Sequence, residues 1–345
     1  MRRNRLYALA VLITVAAVAG PALARTVQSH AAKAKATRKV GPRGPRGPRG
    51  RRGRRGAPGP TGPAGANGAT AASSFLRTIV VSPSTPTPTG NGAVLASALA
   101  AITGSAVTNP YLVWIEPGVY DLGTTQLTIP SYVDVQGSGQ DTTTIEGEGP
   151  VTISAASATE VRALTVTDTN ATGSAEAIAT SGGLRDVTAT ASGTSAATAV
   201  LANGPTMPIV DVTASATTAL SFSSARGIDT RTTARIDGGS YAAFDNASSS
   251  QAAALFAESS TAVSDASLQA TGGAAAYPVD VVGSTETVTV EGSTLVGAGG
   301  FFVAPGDTLD VGGSQVPGGV MSVSGKANCP DDWLADYATA NADCS

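Results

Sequence analysis

At 345 residues the chain is long enough for one sizeable domain with appendages, and at 4% aromatic and 14% charged residues it is poor in the side chains that enzymes usually recruit. A formal net charge of −3 hides a segregation: residues 1–55 carry 15 of the 22 lysines and arginines and no acid, so residues 56–345 carry seven bases against all 25 acids, a net of −18. The sole histidine, His30, lies in the basic part, which excludes a histidine base or a histidine-ligated metal cluster from the acidic body.

Residues 1–24 have the three parts of a secretory signal: the positive MRRNR, the apolar LYALAVLITVAAVAG, and a small-residue site, Pro21-Ala22-Leu23-Ala24, that would be cut before Arg25. Cleavage makes the mature chain a secreted or cell-surface protein. Left uncut, the apolar run is nearly long enough to act as an anchor, although Gly20 and Pro21 weaken it, and membrane contact is expected only in that case. Residues 25–40, RTVQSHAAKAKATRKV, form a basic arm with too little apolar content to fold.

From 41 to 70 the chain reads GPRGPRGPRGRRGRRGAPGPTGPAGANGAT, with glycine at every third position for ten triplets. A collagen triple helix requires that register, because only glycine fits where three polyproline-like strands meet at the axis; a merely flexible linker does not require it. The segment resembles the bacterial collagen-like proteins, in which arginine in the third triplet position stands in for hydroxyproline, as Arg43, Arg46 and Arg49 do here. A triple helix makes the protein a homotrimer; the other reading of the same stretch is a disordered linker in a monomer. Arg51, Arg52, Arg54 and Arg55 complete a run of seven arginines that forms a candidate polyanion-binding site, for an anionic cell-envelope polymer or extracellular nucleic acid. These arginines have a second role open to them, which is to favour the triple helix and keep it soluble.

Residues 71–328 are rich in Ala, Ser, Thr, Gly and Val and repeat. Like segments begin at Val161 (VRALTVTD), Leu184, Ile209, Ile236, Val263, Val290 and Val311, stepping by 23, 25, 27, 27, 27 and 21 residues. A second set interleaves with them: AEAIATSG, TAVLANG, RGIDTR, AALFAES, PVDVVGS and GGFFVAPG. Units of this size cannot bury a face alone and must stack, which predicts an all-β fold, a right-handed parallel β-helix with aliphatic and alanine side chains inward. Ahead of it, GNGAVLASALAAITG at 90–104 places Val94, Leu95, Leu99 and Ile102 at helical spacing, a cap over the first coil.

The stretch YLVWIEPGVYDLGTTQLTIPSYVDVQGSGQDTTTIEG, 111–147, resembles the opening coils of the pectin lyase-like family: an I-x-P-G-x-Y turn at Ile115 to Tyr120, the strand YVDVQGSG and a closing TTIEG. The resemblance implies the β-helix fold and leaves open activities ranging from lyase to hydrolase to esterase. Asp121 stands where the esterase group carries a glutamate, and the later esterase strand, the lyase W-I-D-H pattern and the clustered aspartates of the hydrolases are missing. Single acids recur near strand ends, Asp186, Asp211, Asp237 and Asp265, with Arg162, Arg185, Arg226, Arg231 and Arg235 among them. Stacked coils would align these into a ladder able to offer a calcium site or a carboxylate pair, but without pairs at fixed spacing they read first as solvated outward residues. The aromatics from 140 to 325, Phe222, Tyr241, Phe244, Phe256, Tyr277, Phe301 and Phe302, are too dispersed in sequence to announce a groove.

The tail, 329–345, holds both cysteines, Cys329 and Cys344, an expected disulfide in an oxidising compartment and otherwise two free thiols. Trp333, Leu334 and Tyr337 share a helical face behind a possible cap at Asp331, a second lid. No catalytic residue, metal ligand or cofactor is expected. The sequence thus describes an exported structural or binding protein, a basic collagen-like stalk bearing a β-helical head; the alternative is an extracellular polysaccharide-active enzyme.

Overall fold

The computed structural model describes residues 77–204, 208–218, 220, 223–246, 250–316, 322–323, 325–329 and 333–334. The signal, the basic arm, the glycine triplets with Arg43, Arg46, Arg49, Arg51, Arg52, Arg54 and Arg55, and Cys344 all lie outside the described residues.

The described chain is a parallel β-solenoid with three faces. The first face runs from Arg77–Val81 through Tyr111–Ile115 and Val133–Gln136 to Lys326–Asn328. The second runs from Gly118–Asp121 to Trp333–Leu334, and the long strands Glu160–Asn170 and Gly183–Gly193 turn the corner between the two. The third, from Leu127–Ile129 to Ser322–Val323, is a separate nine-stranded sheet. The described strands all pair in parallel, each lying on its counterpart one coil away.

The register reproduces the sequence repeat residue by residue: Val161 pairs with Leu184, Leu184 with Ile209, Ile209 with Ile236, Ile236 with Val263, Val263 with Val290 and Val290 with Val311. All seven are buried, so an aliphatic column runs down the interior behind the first face. Burying each such side chain contributes about 1.5–3 kcal/mol. Behind the second face the column is small: Gly147, Asp168, Ala191, Ala216, Ala243, Ala270 and Gly297 are successive partners. The adjacent column narrows to Ala189 and Ala214, which leaves room for the ring of Tyr241 on the next coil.

The cap helix spans Pro88–Ala100, two residues earlier at its start and four at its end than the expected 90–104. Thr87 supplies the cap, its hydroxyl accepting the Gly90 N–H at 3.2 Å, and Pro88 takes the first position, where a missing N–H costs nothing. Leu95 and Leu99 are buried while Val94 and Ile102 pack partly covered against the core. Asp121, at the glutamate position of the esterase-like turn, accepts the Thr89 hydroxyl at 2.7 Å and the Gly123 N–H at 2.8 Å, so it fastens helix to coil.

At the other end the helical lid is not formed by Trp333 and Leu334. They make a short strand paired with Gln315 and Val316, extending the second face past residue 328. Pairing satisfies the backbone groups of the last strand edge, which a helix would leave open. Cys329 is buried and is not a free thiol.

Candidate functional site on the third face

The third face is bent. In five successive coils its register passes over one residue, Ala177, Ala199, Gly227, Ala254 and Pro278. Small side chains suit the inward turn there: a β-carbon on Gly227 would lie 2.7 Å from the Ala254 carbonyl oxygen. Pro278 fits because a position without a ladder pair does not miss an N–H. Outward residues flanking the bend are three apart instead of two and lean toward each other. In Ser224–Thr230 they are Arg226 and Asp229, and Arg226 Nη1 donates to Asp229 Oδ2 at 2.7 Å.

Two outward columns therefore converge. One holds Glu176, Thr198, Arg226, Ala253 and Tyr277; the other holds Ala179, Leu201, Asp229, Phe256, Asp280 and Phe302. Asp229 is 1% exposed and receives a second guanidinium, Arg231 Nη2, at 3.3 Å. The Arg226 guanidinium lies over the Phe256 ring, 3.5 Å from its centroid, a cation–π contact that holds it one coil from Asp280. Asp280 is 3% exposed; burial pushes its carboxyl up to about 7 against the opposing pull of Arg226. Burial likewise pushes Glu176 up to about 7, with Arg231 opposing and Asp229 and Asp168 adding to the rise. Tyr277 packs on Phe302, ring centroids 5.7 Å apart, and its hydroxyl is raised by burial and by Asp280.

Buried carboxylate oxygens are nearly always hydrogen-bonded. Here Oδ1 of Asp229 and Oδ1 of Asp280 accept no hydrogen bond within the protein. The arrangement offers two acceptors in search of donors, a carboxylate clamped by two guanidinium groups, and a carboxyl able to gain or lose a proton near neutrality. Phe256, Tyr277 and Phe302 supply an apolar surface beside them. That is the equipment of acid–base chemistry on a hydroxylated ligand.

The predicted residues are distributed differently. Asp186, Asp211 and Asp265 occupy the corner between the first and second faces with φ of 51°, 52° and 53°. Ala163, Gly238, Gly292 and Gly313 hold the same corner in other coils, at φ of 55°, 71°, 58° and 61°. Aspartate and glycine recur there because each tolerates the left-handed region, a requirement of the turn and not of chemistry. Asp237 lies one residue earlier, on the first face, where it accepts from the Ser264 hydroxyl. Arg162 and Arg185 also lie there, paired with Glu160. Arg235 lines a first-face depression of about 250 Å³ with Ser264, Thr289 and Glu291. Of these five arginines, Arg226 and Arg231 reach the third-face site. No group of three or more acidic, histidine or cysteine side chains able to hold a metal occurs among the described residues.

Sequence reasoning missed Asp229, Asp280 and Glu176, and it judged the aromatics too dispersed. Phe256, Tyr277 and Phe302 stand on three successive coils; Tyr241 and Phe301 are in the core, Phe244 is exposed on the second face, and Phe222 lies outside the described residues. The signal was present in the interleaved set: aligned on its inward aliphatics, RGIDTR and PVDVVGS bring their aspartates to one column.

No protein-family model matches the chain, and no curated protein is similar to it. Among solved structures it is similar to the ORF18 protein of Geobacillus virus E2, with a TM-score of 0.42 at 12% identity over 74% of this chain. The match covers 60% of that protein, so the chain spans less than two thirds of its length. It is also similar to pectin methylesterase PemA of Erwinia chrysanthemi, TM-score 0.40 at 10% identity, covering 79% of this chain and 92% of that one. The A-module of mannuronan C-5 epimerase AlgE6 of Azotobacter vinelandii gives a TM-score of 0.25 at 15% identity, covering 72% and 87%.

Proposed function

We propose that the chain is an exported, polysaccharide-active protein whose β-helical head works at the bend of the third face, held at its station by a trimeric basic stalk. The observation that supports activity over a purely structural role is the pair of buried carboxylates, Asp229 and Asp280, each with one oxygen that accepts no hydrogen bond, flanking Arg226 and Phe256. Sugar hydroxyls are donors of the kind those oxygens lack, and an aromatic face beside them suits the apolar side of a sugar ring. Asp280 acts as proton donor and acceptor, and Asp229 steadies positive charge on the substrate or on Arg226.

The test is release of reducing ends, unsaturated sugars or methanol from a panel of polysaccharides. Asp280→Asn and Asp229→Asn are expected to reduce the release at least ~100-fold, the usual scale for a proton-transfer group, with the β-sheet circular dichroism intact. Inertness of the native protein toward the whole panel, with binding retained, returns the head to a structural or adhesive role. The stalk reading rests on the glycine triplets, and the link between Cys329 and Cys344 belongs to the same proposal, closing the tail on the final coil.

A further inference from the structure

The geometry points to the first two coils of the head, around Val80 and Trp114, as the surface through which three copies of this chain meet. This inference rests on the trimeric stalk of the proposed function and names the contact that the heads make with one another.

The first observation is apolar exposure at a defined place. Val80 is 58% exposed and Trp114 36%, and the two are register partners on the outward side of the first face, with Leu112 half-buried in the neighbouring column. Continuing down the same columns, the surface changes character at once, to Asp134, Gln136, Glu160 and Arg162. The apolar part is confined to the coils nearest the chain's entry into the solenoid. Contiguous apolar surface of this sort on an exported protein marks a contact site.

The second observation is electrostatic. The first acidic residue of the whole chain is Glu116; between Arg77 and Ile115 the only charge is Arg77 itself. Residues 116–345 hold all 25 acids and six bases, a net of −19 per head. Three such bodies repel one another wherever their acidic coils approach. The stretch that exposes Val80 and Trp114, residues 77–115, brings no carboxylate of its own to such an approach.

The third is chain connectivity. The last glycine of the triplets is Gly68, and the first strand begins at Arg77. Nine residue steps reach at most ~30 Å. In the proposed trimer three chains that leave one rod enter their first strands as near neighbours, which favours contact through the acid-free stretch 77–115 of each. The occupant of the patch is the same region of a second and third copy.

The experiment uses the full mature chain, followed by light scattering from nanomolar to micromolar concentration, together with far-ultraviolet circular dichroism. Three variants are compared with it: Val80→Glu with Trp114→Ala, which puts an acid into the acid-free patch; Phe244→Ala, an exposed aromatic elsewhere; and Gly53→Ala, which breaks a triplet. The expected result is a native mass of three chains, a trimer midpoint raised at least tenfold for the Val80/Trp114 variant with unchanged β-sheet signal, and no change for Phe244→Ala. Equal association of the native and Val80/Trp114 proteins, with only Gly53→Ala dissociating, overturns the patch and leaves the stalk trimer standing. A native mass of one chain with no cooperative low-temperature transition overturns the stalk and the patch together.

Discussion

A side chain in this solenoid is read by its neighbours one coil above and below, and two positions show how strongly that stacking constrains identity. At the corner between the first two faces, a β-carbon added to Gly238 would lie 2.5 Å from Asp211 Oδ1 in the coil beneath, on a backbone already at φ 71°. Gly238→Ala is expected to destabilise the head by ~1–2 kcal/mol from backbone conformation alone, and by more once the carboxylate is displaced; chemical denaturation of the two proteins measures it. Asp168 is the opposite case, the single charged residue in an interior column of alanine and glycine. It is buried, accepts the Thr152 hydroxyl at 2.8 Å on Oδ2, and leaves Oδ1 without a hydrogen bond. Burial pushes its carboxyl up to about 6 from 3.8, with Thr152 and the Glu176 backbone opposing. A carboxyl raised on folding stabilises fully below its unfolded value, and that stabilisation is lost as pH rises through the folded value. From pH 4 to 7 the head should therefore lose stability, on the order of 3 kcal/mol through Asp168, with Asp280 and Glu176 contributing in the same direction. Asp168→Asn keeps an acceptor for Thr152 and removes the ionisation, so its loss of stability over that interval is expected to be smaller than the native protein's by about 3 kcal/mol, the remainder belonging to Asp280 and Glu176. A native midpoint flat from pH 4 to 7 contradicts the burial argument.

At the scale of elements, the coil and the cap were legible in the sequence and the site was not. The steps of 23, 25, 27, 27, 27 and 21 became the ladder register without adjustment, because inward aliphatics must stack and any slip would turn them outward. The cap helix was visible through Leu95 and Leu99, with its ends displaced by the Thr87 and Pro88 start, local chemistry that the apolar spacing does not report. The site stayed hidden because its members arrive one per coil, outward, at positions that packing leaves free; only the bend at Gly227 and Pro278 brings the two columns together. The tail was misread for a related reason: the pairing of Trp333 and Leu334 with Gln315 and Val316 depends on a strand edge far away in sequence, whereas helical spacing is local. The cap offers a sharp test of element packing. A β-carbon on Gly92 would sit 1.9 Å from the Asp121 carbonyl oxygen, so Gly92→Ala must lift the helix even though alanine is the better helix former by about 1 kcal/mol. The expected outcome is a net loss of stability above ~2 kcal/mol, comparable to uncovering Leu95 and Leu99, seen as early melting in a thermal scan. A stabilised Gly92→Ala protein would mean that the helix does not pack as closely as the coil requires.

For the molecule as a whole the governing feature is polarity of charge along the chain, 15 bases and no acid up to Arg55 and then a body of net −18. Seven arginines fall within residues 41–55, so the proposed triple-helical trimer would carry 21 positive charges along about 45 Å at ~3 Å rise per residue. That is one charge per roughly 2 Å, close in magnitude to the one per about 1.7 Å of duplex DNA and opposite in sign. Counterions condense on a rod of this density, and an anionic polymer that displaces them gains the entropy of their release, which makes association fall steeply with salt. Arginine in the third triplet position serves the triple helix by itself, but Arg51 and Arg54 stand in the preceding position, where they add like-charge repulsion that helix stability does not require. They are the residues that favour docking over a purely structural role for the charge. Replacing Arg51, Arg52, Arg54 and Arg55 with alanine removes 12 of the 21 charges from a trimer. Polyphosphate binding measured from low to physiological salt is expected to weaken at least ~10-fold at the upper end, with a visibly shallower dependence of affinity on salt. Thermal melting of the variant rod separates the two roles, since loss of polyanion binding with the rod still folded assigns the charge to docking. Equal binding by both proteins, or binding indifferent to salt, assigns it to the stability and solubility of the stalk.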